Sequence, residues 1–118
     1  RAKDSLMDMV CDGSSITEEE VNRMWDFSRY PGSMNAMFRE FAKPWEDFKP
    51  TEIEAIPTNT LLIWGEEDTI CPISMGEWYN SQLPTSKLVR LQNIGHNPQL
   101  ECPDKCLDEI ISWISSLE

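Results

Sequence analysis

The chain has 118 residues, 40% of them hydrophobic and 26% charged, which is room for one domain with one core and not for two. Its formal net charge is −11, about −5 over the first 60 positions and −6 over the rest, so no acidic tail accounts for it. An evenly anionic surface lacks the cationic patches that nucleic acids and anionic membranes require, and no apolar run reaches membrane-spanning length.

The chain opens on "RAKDSLMDMV", in mid-pattern and without an initiator methionine, as though cut from something longer. No signal-peptide pattern is present there, and a cytoplasmic protein is expected. Cys11, Cys71, Cys102 and Cys106 show no staple-like spacing. Without paired Cys-x-x-Cys or a second histidine they make no zinc site, so reduced thiols are expected.

Thr17 and Glu20 form a capping box, each side chain able to satisfy an orphan amide at a helix start. The helix they open carries Val21, Met24, Trp25 and Ser28 at helical spacing until Pro31-Gly32 stops it. A second helix is predicted from Ser33 through "MNAMFREFAK", with Met34, Met37, Phe38 and Phe41 on one face. Pro44 ends it, and the acidic, proline-punctuated text to Pro57 reads as a connector.

Then the pattern changes. "TLLIW" (60–64), bounded by Gly65, is a short continuous apolar run of the kind buried on both faces of a sheet. A helix over 73–83, despite Gly76, leads to a second strand at 87–92. Pro103 opens a final helix with Leu107, Ile110, Ile111, Ile114 and Leu117 in one stripe. Strand, helix, strand, helix in that span predicts two parallel strands with flanking helices, an α/β arrangement.

Both strands then end at one edge of the sheet, where open α/β sheets build their sites. Asp68, in "WGEEDTICP", follows the first strand, and His96, the only histidine, lies in "NIGHNP" past the second. An acid beside an imidazole would fix its tautomer and stabilise its charged form. Spacing alone leaves two readings open: a general base, or a solvated loop histidine near an unrelated aspartate. Glu66 and Glu67 beside Asp68 read as solvated carboxylates, not a metal site, and Cys71 as a small buried side chain.

"IPTNTLLIWGEEDTICP" followed by "LPTSKLVRLQNIGHNPQLECPDKCLDEIISWI" resembles the C-terminal part of the α/β-hydrolase fold family. That family runs P-T-L-x-I-W-G-x-x-D-x-x-x-P, then L-P before a strand, then G-H-x-P-x-x-E-x-P and a last helix. The resemblance implies a partial α/β-hydrolase fold, with residues 1–55 as cap (lid) helices and connector and 56–118 as the C-terminal part of the core. It makes Asp68 the triad acid and His96 the triad base, with Glu101 anchoring the loop after the histidine. The family nucleophile sits at a Gly-x-Ser-x-Gly elbow before the cap. No serine here qualifies: Gly13-Ser14-Ser15 follows no strand, and Ser74, Ser81, Ser86 and the C-terminal serines read as helix or turn.

The reading is therefore a hydrolase part that supplies acid and base, with a serine or aspartate nucleophile from the missing N-terminal part of the same fold. A small, fairly apolar substrate is expected, an ester first, with no metal or organic cofactor. Met34, Met37, Phe38 and Phe41, with Met24 and Trp25, are candidate pocket lining, although such spacing also suits a core. "YPGSMNAMFREFA" is similar to the cap of epoxide-hydrolase relatives, but Phe41 falls where that group has a ring-opening tyrosine. The alternatives are a non-enzymatic hydrolase-like binding or signalling protein and an inactive truncated product.

Overall fold

The computed structural model describes residues 4, 7–44 and 49–118. A 3-10 turn at Gly13–Ser15 is capped by Asp12, whose carboxylate accepts from the Ser14 amide at 2.9 Å. Helix α1 (Glu18–Arg29) follows, and both halves of its capping box form. The Glu20 amide donates to Thr17 Oγ1 at 3.2 Å, and the Thr17 amide to the Glu20 carboxylate at 2.7 Å. Such a cap contributes about 1 kcal/mol. Gly32, at φ 92°, turns the chain into α2 (Ser33–Phe41), a conformation glycine adopts without a Cβ penalty.

The connector is not structureless. It contains a short helix, α3 (Pro50–Glu54), with proline in the first turn and the Glu52 carboxylate accepting from the Lys49 amide at 3.0 Å. Proline there gives up an amide that would be unpaired anyway, so it starts this helix instead of breaking one.

Strand β1 (Thr60–Gly65), helix α4 (Ile73–Gln82) and strand β2 (Ser86–Leu91) form the parallel unit. The register runs from Thr60 opposite Ser86 to Gly65 opposite Leu91. A short helix, α5 (Pro98–Glu101), precedes α6 (Pro103–Ser115). The core gathers Val89, Leu91, Ile94 and Cys106, with Leu61, Ile63 and Cys102 packed against it. Burial in this core and the neighbouring Cys102 thiol push the Cys106 thiol up to about 11, so it is a protonated packing group at neutral pH. All four cysteines are free thiols, and Cys71 is half-buried, not buried.

Gly76 sits in the middle of α4 for a steric reason. A Cβ there would come within 2.9 Å of the Trp64 ring, so only glycine lets the helix lie this close to β1.

One expectation needs correction. "TLLIW" is only half-buried along its length, because β1 is paired on one edge by β2 and the helices cover it incompletely. The α6 stripe is also open, with Leu107, Ile111 and Ile114 each more than half exposed (51–54%). Burying one such side chain is worth about 1.5–3 kcal/mol, and a domain's net stability is only about 5–15 kcal/mol. The chain by itself is therefore expected to self-associate despite its charge of −11. Sedimentation velocity at several concentrations should show larger species growing in. A monodisperse monomer with a concentration-independent melting transition would contradict this. Among the described residues, no helix is long and apolar enough to cross a membrane.

Candidate active site

The two loops that leave the sheet are stitched together before either reaches its candidate side chain, Asp68 or His96. The Glu66 amide donates to the Leu91 carbonyl at 2.9 Å, and the Glu67 amide to the Ile94 carbonyl at 3.0 Å, extending the ladder past the strand ends. A Cβ on Gly65 would collide with the carbonyl oxygens of Gly95 and Ile94, so the approach of the loops requires glycine at the strand end.

The acid loop is closed from within. The Trp64 indole Nε1–H donates to the Cys71 carbonyl at 2.8 Å. Asp68 Oδ1 accepts from the amides of Ile70 (2.9 Å) and Cys71 (2.8 Å), which fixes the carboxylate plane. Its other oxygen, Oδ2, lies 2.9 Å from His96 Nδ1. The Asp68 side chain is 5% exposed and that of His96 33%. Burial by itself would raise the Asp68 pKa. The Cys71 amide, the His96 ring and the Ile70 amide outweigh it, and hold the carboxyl below its ordinary value of 3.8.

The histidine loop turns at Asn93, whose φ of 58° is left-handed and tolerable for asparagine. The His96 amide donates to the Met9 carbonyl at 2.7 Å, which lays the Met9–Cys11 segment along this loop. Helix α5 brings Glu101 back to the loop, where its carboxylate accepts from the Gly95 amide at 2.9 and 3.0 Å.

A cavity of about 160 Å³ borders the pair, lined by Ile63, Trp64, Gly65, Asp68, His96 and Pro98. A second, of about 220 Å³, lies between α1 and the histidine loop, against Met9, Met24, Phe27, Asn97 and Leu100. Sequence reasoning placed Met24 among the pocket candidates but missed Met9 and Phe27, which no helical stripe had singled out. Met34, Met37, Phe38 and Phe41 are all exposed on α2, from 41 to 70%. Ser74 and Ser81 lie in α4, and Ser86 begins β2 instead of lying in a helix or turn. Among the described residues, Asp68 is the hydrogen-bond partner of the His96 ring, with no hydroxyl or thiol bonded to it. Glu66 is paired with Arg90 at 2.9 Å, and Arg90 also reaches Glu77 at 2.6 Å. Among the described residues, no three His, Cys, Asp or Glu side chains could share a metal ion.

Residues 24–113 match the family described as TAP-like protein. The uncharacterized hydrolase YugF of Bacillus subtilis (strain 168) is 31% identical over 110 residues, covering 93% of this chain and 40% of that protein. A pimeloyl-[acyl-carrier protein] methyl ester esterase of Aromatoleum aromaticum is 38% identical over 45 residues, covering 38% of this chain and 18% of that protein. Among solved structures, a meta-cleavage product hydrolase from Pseudomonas fluorescens IP01 superposes with a TM-score of 0.85 at 23% identity. That likeness is one of fold, and it covers 99% of this chain and 45% of the hydrolase. The chain thus spans less than half the length of these relatives. With the parallel unit, the two stitched loops and the match over most of its length, the chain belongs to the TAP-like protein family of the α/β-hydrolase fold.

Proposed function

We propose that this chain supplies the acid and the base of a nucleophile-acid-histidine triad to a hydrolase of small, fairly apolar substrates, esters first. The observation that carries the reading is the 2.9 Å contact between Asp68 Oδ2 and His96 Nδ1, with Asp68 Oδ1 already committed to two amides. A carboxylate that accepts from Nδ1–H leaves the imidazole lone pair on Nε2. Nε2 then takes the proton of a serine hydroxyl as its oxygen attacks the ester carbonyl, and Asp68 stabilises the imidazolium formed. The proton passes from Nε2 to the departing alkoxide, and water repeats the sequence on the acyl-enzyme. With an aspartate nucleophile, His96 would instead activate the water of the second step. The nucleophile and the oxyanion-hole donors would come from the part of the fold that precedes this chain. Residues 1–55 would then serve as cap and connector over a core completed by 56–118.

The ester lead rests on the fold's commonest chemistry and on the similarity to a methyl ester esterase. The test is a substrate series on a full-length protein carrying this chain. Saturable turnover of p-nitrophenyl esters with short neutral acyl groups is expected, with dianionic acyl groups poor. Turnover of an epoxide or a haloalkane with none of any ester would assign a different bond. No turnover of any class would favour a binding protein.

A further inference from the structure

The histidine loop is a wall shared by two cavities. His96 and Pro98 line the one of about 160 Å³, whereas Asn97 and Leu100 line the one of about 220 Å³. Across the larger cavity stand Met24 and Phe27 of α1, and Met9, whose carbonyl is tied to the His96 amide at 2.7 Å. These walls are largely apolar, and both charged residues on them are already engaged. The Glu20 carboxylate accepts from the Thr17 amide and hydroxyl at 2.7 and 2.8 Å, and the Arg23 guanidinium donates to Glu19 at 3.2 Å. Asn97 is different. Its Nδ2 is enclosed, yet it has no hydrogen-bond partner among the described residues. Its Oδ1 accepts a long bond of 3.4 Å from the Gln99 side-chain amide. An unmade donor in such a place loses its hydration without return, so folded proteins seldom keep one without a use.

We propose that this larger cavity receives the acyl chain of the ester, and that the Asn97 side-chain amide donates to an uncharged oxygen on that chain, a ketone or an ether. The inference rests on the reading of His96 as the base, because the reacting carbonyl then lies beside the residue that precedes Asn97. Apolar walls with one placed donor are the usual make-up of a small-molecule site. Burial supplies affinity, and the donor selects the ligand that returns its hydrogen bond. The torsion at the end of an asparagine side chain is soft, so the amide can turn to meet that oxygen. Charge argues for a neutral acceptor. Glu20 and Arg23 offset one another on the walls, and the chain as a whole carries −11, which disfavours a carboxylate arm. Asn97 is thus a specificity-determining residue, acting on which ester is chosen and not on the bonds that break.

The test uses a full-length protein carrying this chain and p-nitrophenyl hexanoate, beside analogues with a ketone carbonyl moved along the acyl chain. In the parent, the best-placed ketone is expected to raise kcat/KM about five- to tenfold over hexanoate, the net worth of one hydrogen bond. Asn97→Leu is similar in shape but has no donor, and should bring that ratio to about one. If the leucine variant fails to fold, the isosteric Asn97→Asp carries the same comparison. A second readout needs no turnover. A medium-chain methyl ketone should shift the Asn97 side-chain NH2 resonance, identified by its absence in either variant, and should do so in His96→Ala as well as in the parent. No ketone preference in the parent, a preference that survives loss of the donor, or a resonance that the ketone does not move would each overturn the proposal. A ketone-dependent shift in a parent that hydrolyses no ester would instead overturn the base reading and leave the Asn97 site standing.

Discussion

Replacing Asp68 by asparagine is expected to lower kcat about 10⁴-fold in a full-length protein carrying this chain, with KM little changed. Oδ1 accepts from two amides, so the asparagine oxygen would keep that place and its NH2 group would face His96. The imidazole would then accept at Nδ1 and carry its proton on Nε2, where it cannot act as a base. His96→Ala should lose at least as much, because it removes the proposed base outright. Both are read from steady-state kinetics on the best ester, and a loss below tenfold for either would contradict the triad assignment. The pH dependence has a definite sign. The folded Asp68 carboxyl lies below its ordinary value of 3.8, so folding favours the ionised form. That contribution to stability is fully present above 3.8 and is lost as pH falls through the lower folded value. Asp68→Asn should lack this part of the acid transition in thermal melts followed from neutral pH downward.

The chain alone is expected to hydrolyse activated esters no faster than free imidazole at the same concentration. An acid-histidine pair without a positioned nucleophile lacks the covalent step. Without oxyanion donors it also forgoes about 10²–10³ in rate for each one missing. p-Nitrophenyl acetate turnover by the chain should not saturate, and its excess over the His96→Ala variant should not exceed the rate of free imidazole. A saturable rate that depends on His96 would show that a nucleophile lies within these 118 residues.

What could be read from the sequence was what local chemistry dictates. Thr17 and Glu20 predicted a helix start because a capping box is satisfied within four residues, and both of its hydrogen bonds form. The parallel pair was legible because a strand, a crossover helix and a second strand have few alternatives. Once both strands ended at one edge, Asp68 and His96 had to lie on neighbouring loops. The short helix at Pro50–Glu54 was missed because the prolines of the connector read as breakers, when Pro50 occupies the one turn that tolerates it. The burial of "TLLIW" was overstated because an apolar run records what a strand can bury, not how many neighbours reach it. The Met9–Cys11 segment left no signal, since its bonds to His96 and Glu101 join residues about 90 positions apart.

The glycine in α4 has a reach that its position in a helix conceals. Its missing side chain lets the helix rest on the Trp64 ring. The indole of that tryptophan holds the Cys71 carbonyl, and the Cys71 amide in turn points at Asp68 Oδ1. Gly76, Trp64, Cys71 and Asp68 thus form a mechanical linkage that ends at the imidazole. A methyl group at position 76 would force the helix or the Trp64 ring to shift and pass that displacement along the linkage. A survey of activity variants would then score this helix position as catalytic, although its chemistry is only that of taking up no space.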